Sequence, residues 1–174
     1  MLGCHRAGNA PRSGTISPAP HAVARVLIGV SPASQIARTL EQPNARPFRS
    51  AIALSPDGQS LAFVGAVPNG SSAAASAARQ LYVRRMERLE AMPLDGTDRA
   101  ENPFFSPDGQ WIAFFSRGKL KKIRLDGGQP IPLCDAPSGR GGSWGEDGVI
   151  IAALDARAGL SRIAADSGKA ALIT

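Results

Sequence analysis

Residues 141–145 match the Gly-X-Ser-X-Gly pattern of a nucleophilic serine, with Ser143 at the centre. In hydrolases that use this pattern, the serine lies on a strand-to-helix turn and works with a histidine later in the chain. Here no histidine follows His21, and the pentapeptide leads into another apolar, strand-like run. We therefore interpret Ser143 as a strand or turn residue, assign no catalytic residue, and expect the chain not to be an enzyme.

Carboxylates offer a second kind of chemistry, because paired carboxylates can act as general acid and general base. The candidates are Asp57 and Asp108 together with Glu101. The two aspartates, however, recur at the same place in a repeated motif, which indicates turn formation. The acidic turns also lack the alternating Asp/Asn pattern and terminal Glu of a calcium loop. We expect no metal site at these residues.

Cysteines and histidines are too few to build a metal centre or a disulfide framework. The sequence has Cys4 and Cys134, and its two histidines are His5 and His21. This spacing fits no zinc site, and two cysteines do not make a framework of bridges. No cofactor is expected, and the cellular compartment is left open.

Glycines 139, 141 and 142 surround Arg140, and such a stretch can present backbone N–H groups to an anion. The alternative is a flexible connection between repeats, which we favour. In the preceding repeat the corresponding connection is Arg99-Ala100-Glu101, so Arg140 and Glu101 share a repeat position. These connections are the candidate binding loops, and their residues are Arg99, Glu101, Arg140 and Gly141.

Composition favours a turn-rich β protein. The 174 residues are 43% hydrophobic, and 19 Gly and 14 Pro are too many for long helices. The net charge of +6 is spread among apolar residues in strand-like alternation, so we do not expect nucleic-acid binding. The apolar run 22–30 contains Arg25 and is too short to span a bilayer, and we find neither a signal peptide nor a transmembrane helix.

The strongest signal is an internal repeat. Three copies of a turn are each followed by an apolar run, and their aspartates are 51 and then 39 residues apart. The low-complexity segment 67–78 accounts for the longer first interval. The shared turn residues are Ser55, Pro56, Asp57 and Gly58, then Ser106, Pro107, Asp108 and Gly109, and finally Asp147 and Gly148. Pro sets φ at the second turn position and Gly takes the left-handed conformation, so these residues predict tight turns.

A period near 39 residues with four short strands per period predicts the blade of a β-propeller. The turn Asp126-Gly127-Gly128 would join the third and fourth strands of the second blade. The expected strands are 50–54, 60–66, 80–86 and 90–94, then 102–105, 110–116, 119–125 and 129–134, and finally 142–145, 148–154, 159–164 and 169–173.

The Ser-Pro-Asp-Gly-Gln turn, the Ala-Phe strand and the Asp-Gly-Gly turn resemble the TolB-like, WD-repeat-like propeller repeats of bacteria. Residues 100–153 resemble more narrowly the C-terminal propeller of some bacterial serine/threonine protein kinases. The resemblance covers residues 46–174 and implies an all-β propeller of four-stranded antiparallel blades that binds partners through variable loops. About three blades are present, whereas such propellers usually close with six or more.

This interpretation divides the chain into two regions. Residues 1–45 are expected to be a mostly disordered tail in which 23–30 can form a strand. The blades are expected at 46–94, 95–134 and 135–174. Three blades leave two radial faces open, so we expect exposed apolar residues near them, namely Phe63, Phe104, Phe114 and Ile151.

We therefore interpret the chain as a non-enzymatic propeller module, part of a larger propeller, that binds a protein or small ligand. Self-association that closes the ring would be consistent with the open faces. The alternative is a regulatory or sensor segment of a serine/threonine kinase system whose catalytic domain lies in another chain, because no kinase motif is present here.

Overall fold

A computed structural model describes residues 28–33, 36, 52–66 and 79–173. In these residues twelve strands form three four-stranded antiparallel sheets, and the strand order in each sheet follows the chain. The first sheet contains β1 (Ile52–Leu54), β2 (Ser60–Ala66), β3 (Arg79–Arg85) and β4 (Met92–Pro93). The second contains β5 (Glu101–Phe105), β6 (Trp111–Ser116), β7 (Lys119–Arg124) and β8 (Ile131–Asp135). The third contains β9 (Gly141–Trp144), β10 (Val149–Ala153), β11 (Ser161–Ala164) and β12 (Ala170–Leu172).

This architecture confirms the predicted all-β propeller class. Each of the twelve strands expected in the blades overlaps an observed one. The first strands of the sheets are neighbours, because β1 contacts β5 and β5 contacts β9. The three sheets are arranged as consecutive blades around these strands, and the ring is not closed. No helix among the described residues is long and apolar enough to cross a membrane.

Strands with two apolar faces form the core between the sheets. On β2, Ala62 and Val64 belong to the buried cluster that joins the first sheet to the second. On β6, Ile112 and Phe114 belong to the same cluster as Ala62, whereas Ala113 and Phe115 belong to the cluster that joins the second sheet to the third. Alternate residues of one strand therefore enter different layers, as the period of two along a strand requires.

The outer face of the first sheet is covered by residues 28–33 and 36, which we call the strap. Ala33 of the strap is buried against Leu61, Phe63 and Tyr82. The Ser31 carbonyl accepts a hydrogen bond from the Ala91 N–H at 2.8 Å, and Ile36 forms a bridge with Gly65. A side chain at Gly65 would come within 2.8 Å of both Ala33 and the Tyr82 ring, so the close approach of the strap requires glycine there.

The strap corrects the expectation that two apolar faces are open. Phe63 is 0% exposed because the strap and the stacked Tyr82 ring cover it, and Phe114 is 0% exposed because it lies between the first two sheets. Phe104 packs over Gly142 of the third sheet and is half-buried. Only Ile151, also half-buried, points away from the shared core; the neighbouring Ile150 and Ala152 point into it.

Parts of the predicted tail and insert lie outside the described residues. Of the expected strand 23–30, residues 28–30 are described and carry no strand. The segment 67–78 and most of 1–45 are not described, so the division at residue 45 stays a prediction.

Candidate functional site

The repeated aspartates hold their own turns. Asp57 Oδ1 accepts hydrogen bonds from Ser55 Oγ at 2.5 Å and from the Gln59 N–H at 2.9 Å. In the second sheet, Asp108 Oδ1 accepts equivalent bonds from Ser106 Oγ at 2.5 Å and the Gln110 N–H at 3.0 Å. These hydrogen bonds lower the pKa of each carboxyl below its ordinary value. The bond from the serine has the larger effect, and the bond from the backbone N–H has the smaller one.

The third copy of the turn is one residue shorter and lacks the serine. Asp147 Oδ1 still accepts a hydrogen bond from a backbone N–H two residues later, that of Val149, at 3.1 Å. Gly145 takes the place of the serine, and its N–H donates to the Val149 carbonyl. Gly58, Gly109 and Gly148 all have φ between 68° and 74°, the left-handed region that favours glycine.

Antiparallel strands place the loops of every sheet at two opposite ends, and we name these the turn end and the connection end. The turn end holds the loops after first and third strands: 55–59, 86–91, 106–110, 125–130, 145–148 and 165–169. The connection end holds the described loops 94–100, 117–118, 136–140 and 154–160. Asp126, Gly127 and Gly128 lie at the turn end, and the Arg124 side chain bonds Asp126 Oδ1 at 3.0 Å and lowers the pKa of that carboxyl.

Four predicted binding residues lie at the connection end of their sheets. Arg99 and Arg140 are exposed in the two connections between sheets, whereas Glu101 begins β5 and Gly141 begins β9. Because β5 separates Glu101 from the turn end, Glu101 does not join Asp57 or Asp108 in a carboxylate pair. Among the described residues, no group of His, Cys, Asp and Glu has the arrangement of a metal site.

Buried hydrogen bonds fix the connection from the first sheet to the second. Thr97 Oγ1 is buried, accepts from the Leu81 N–H at 3.0 Å and donates to the Leu94 carbonyl at 2.5 Å. Ser116 Oγ donates to the Asp98 carbonyl at 2.7 Å. Arg99 follows with φ of 55°, and its N–H donates to the Arg79 carbonyl at 2.7 Å, so its exposed side chain projects from an anchored backbone.

The connection from the second sheet to the third is anchored in a different way. Ser138 Oγ donates to Asp155 Oδ1 at 3.1 Å and accepts from the Ala156 N–H at 2.7 Å. Gly139 is buried against the Phe115 ring, and the Arg140 N–H donates to the Ala153 carbonyl at 2.9 Å. The Arg140 N–H is therefore committed to the sheet, which argues against the anion-cradle interpretation of residues 139–142.

A buried polar side chain also lies near this end. Asn102 on β5 is 4% exposed and has φ of 48°, at an irregularity in the pairing between Glu101 and Phe104. Its Nδ2 and Oδ1 have no hydrogen-bond partner among the described residues. Buried amides are usually satisfied, so Asn102 keeps unused hydrogen-bonding capacity beside Glu101.

Ser143 lies in β9 with Ile151 as its partner in the neighbouring strand. The residues around it are a strand followed by the 145–148 turn, so the Gly-X-Ser-X-Gly pattern here lacks the strand-to-helix geometry of a nucleophile. Cys134 is half-buried on β8, and burial raises the pKa of its thiol, which disfavours the reactive thiolate.

Sequence reasoning missed a cleft at the turn end between the second and third sheets. Its volume is about 580 Å³, and Trp111 and Trp144 both line it. Lys122 crosses the cleft, with Nζ donating to the Ala165 carbonyl at 2.7 Å and lying 4.8 Å from the Trp111 ring centre. The sequence did carry one signal of this cleft, because Trp111 departs from the repeat: the first sheet has Ser60 at the position where the second sheet has Trp111.

Comparison with known proteins identifies the fold. No family model matches the chain, and none of the curated proteins matches it. Among solved structures, the TolB from Agrobacterium tumefaciens superposes with a TM-score of 0.55 at 20% identity, over 71% of this chain and 48% of that one. The propeller domain of the Trilobed protease from Pyrococcus furiosus gives 0.53 at 15% identity, over 71% and 41%. A gluconolactonase from Xanthomonas campestris gives 0.53 at 13% identity, over 76% and 50%.

These likenesses place the chain in the β-propeller class, with TolB-like propellers among its neighbours. The chain spans half or less of each of these three structures. Identities of 20% or less show the fold alone.

Proposed function

We propose that this chain is a non-enzymatic propeller module that binds a protein or small ligand through the loops at its connection end. The observation that carries the proposal is that two anchored connections present exposed arginines, Arg99 and Arg140. Anchoring matters because a loop that is already ordered loses little entropy when a ligand binds. In the strand pairing Glu101 corresponds to Gly141, not to Arg140 as the sequence spacing predicted, because β5 has an extra residue between Glu101 and Phe104. Arg140 therefore has Ala100 as its counterpart, and the connections differ from each other while the sheets repeat.

The chemistry of these loops suits anionic groups. Arginine presents several donors in a planar fork that matches carboxylate and phosphate. A ligand or partner surface that carries carboxylate or phosphate groups is therefore the proposed occupant.

Paired arginine substitutions test this role. Thermal unfolding would be followed with inorganic phosphate and with a short glutamate peptide as probes, for the chain and for R99A/R140A. The matched control is R88A/R162A, which removes the same charge from exposed arginines elsewhere. We expect at least one probe to raise the Tm of the chain and of the control but not of R99A/R140A. Equal responses of the two double variants, or no response of the chain itself, would contradict the proposal.

The absence of catalysis is part of the proposal. Ser143 lies in a strand, and the protease and lactonase neighbours are longer proteins than this chain. Ester, peptide and lactone hydrolysis and phosphoryl transfer by the purified chain would be assayed. Turnover that persists through repurification would overturn this part, and its loss in S143A would assign it to Ser143.

The repeat resemblance to kinase-associated propellers supports a second candidate, a sensor segment of a serine/threonine kinase system. Copurification of the chain with a kinase encoded beside it would favour this candidate. A free-standing gene would favour the first.

A further inference from the structure

The cleft between Trp111 and Trp144 differs from its equivalent one repeat earlier. In strand register, Ser60, Val83 and Phe105 at the first interface correspond to Trp111, Lys122 and Trp144 at the second. Phe105 is buried in the core, whereas Trp111 and Trp144 are half-buried and border an opening of about 580 Å³. Trp144 also packs against the core between the second and third sheets, but the half-buried pair occurs at only one interface, so the repeat by itself does not account for it.

The rim of the cleft is acidic although the chain is basic. Four carboxylates from three different turns line it, and Lys122 is the cation among the lining residues. These carboxylates are Asp108, Glu146, Asp147 and Asp166. Asp108 and Asp147 use only Oδ1 in hydrogen bonds within the described residues, which leaves their second oxygens open. The rim therefore carries more negative than positive charge in a chain whose net charge is +6.

One tryptophan already holds cations from this chain. Lys122 lies 4.8 Å and Arg124 lies 5.6 Å from the Trp111 ring centre. No cation of the described residues lies over Trp144, although Glu146 and Asp147 are close to it in sequence and line the same cleft. An aromatic face beside open carboxylates attracts a cation from another molecule.

We propose that this cleft binds an arginine side chain of a partner peptide, with the guanidinium over Trp144 and against Glu146 and Asp147. Arginine fits better than a sugar because the rim is charged, and better than lysine because its planar group stacks and forms bidentate bonds with carboxylates. A cleft of this volume holds the side chain and part of the adjoining backbone. The cleft lies at the turn end, opposite Arg99 and Arg140, so this site goes beyond the proposed function and is independent of it.

Intrinsic fluorescence reports on this site without labels. The chain has two tryptophans, and both line the cleft. The probe is a five-residue peptide of glycine with two arginines, and its control replaces each arginine with citrulline, which keeps the shape and removes the charge. We expect saturable change in emission with the arginine peptide, weakened by high salt, and little change with the citrulline peptide.

Variants locate the site. E146Q removes an exposed charge without a hydrogen bond to lose in the described residues, and we expect it to weaken binding roughly two- to fivefold, as one exposed ion pair does. W144F should weaken binding and keeps Trp111 as reporter. E87Q, which removes the same charge from the first sheet, should bind as the unaltered chain does. R99A/R140A should also bind normally, which separates this site from the connection end.

The proposal would be overturned if the citrulline peptide bound as tightly as the arginine peptide, or if E146Q and E87Q changed binding equally. An emission spectrum that responds to a neutral oligosaccharide but not to the arginine peptide would also overturn it. Failure of W144F to fold leaves E146Q and the citrulline control to decide.

Discussion

Ser106 uses both functions of its hydroxyl to hold the second turn. Its Oγ accepts from the Trp111 N–H at 2.9 Å and donates to Asp108 Oδ1, and the residue is buried. S106A would leave the partly buried Trp111 N–H without its partner, so we expect a loss of about 1–2 kcal/mol in the free energy of unfolding. Urea unfolding checks this, with S143A as the control because Ser143 is exposed. An equal loss in both variants would contradict the role given to the turn.

Acid should weaken these turns. The pKa values of Asp57 and Asp108 lie below their ordinary value of 3.8, chiefly because of the serine hydrogen bonds. A lowered folded-state pKa contributes stability above the unfolded-state pKa, and this stability is lost as pH falls through the folded-state value. The expected window therefore begins near pH 3.8 and extends below it.

The double variant D57N/D108N tests this pH dependence. Urea midpoints measured from neutral pH down to pH 2 should fall less steeply below about pH 4 than those of the unaltered chain. The control is D95N, which removes an exposed carboxylate at the connection end. A decline in the double variant as steep as in the control would show that the turn carboxylates do not carry the effect.

At the scale of single residues, the sequence predicted the turns and missed the cleft. Ser, Pro, Asp and Gly act within a few residues of one another, so their spacing determines their contacts. Trp111 and Trp144 are brought together by packing of two sheets, and spacing gives only the repeat position of each. Trp111 and Ser60 are at equivalent positions of two repeats, and their difference marks Trp111 as unusual. The difference does not show that Trp111 lies near Trp144.

Gly139 fixes how the connection between the second and third sheets packs. A Cβ at this position would overlap the ring of Phe115, which is itself buried between those sheets. G139A should therefore destabilise the chain by about 1–3 kcal/mol, the usual result of overpacking. Thermal or urea unfolding measures this, and G29A serves as the control because open space surrounds Gly29. If G139A is as stable as G29A, the connection is free to move away from Phe115.

Strands were easier to predict than the strap. Each strand is bounded by a turn that the repeat marks, and its apolar residues recur with a period of two. The strap has no counterpart in the other repeats, so nothing in the repeat register pointed to it as a cover for Phe63. The expectation of an exposed Phe63 was wrong because the repeat describes the sheets and not the segments that pack on them.

The two ends of the array of sheets differ because of this cover. On the first sheet, the strap occupies the face where a preceding blade would pack. On the third sheet, Ile151 and the exposed Arg162 are paired across the strands and lie on a face that no described residue covers. Ring closure by two copies would require both faces, so self-association of that kind requires displacement of the strap.

Releasing the strap should therefore promote self-association, which raises the average mass of the species in solution. A33D places a charge against Phe63 and Tyr82, where it has no described partner, and burying an unpaired charge is costly enough to detach the segment. We expect A33D to bind more of a hydrophobic dye and to shift toward dimers or larger species in light scattering, because Leu61, Phe63 and Tyr82 become exposed. The control A158D adds the same charge at an exposed position and should behave as the unaltered chain does. Unchanged mass and dye binding in A33D, or a dimer of the unaltered chain that already buries the outer face of the first sheet, would show that the strap does not guard this face.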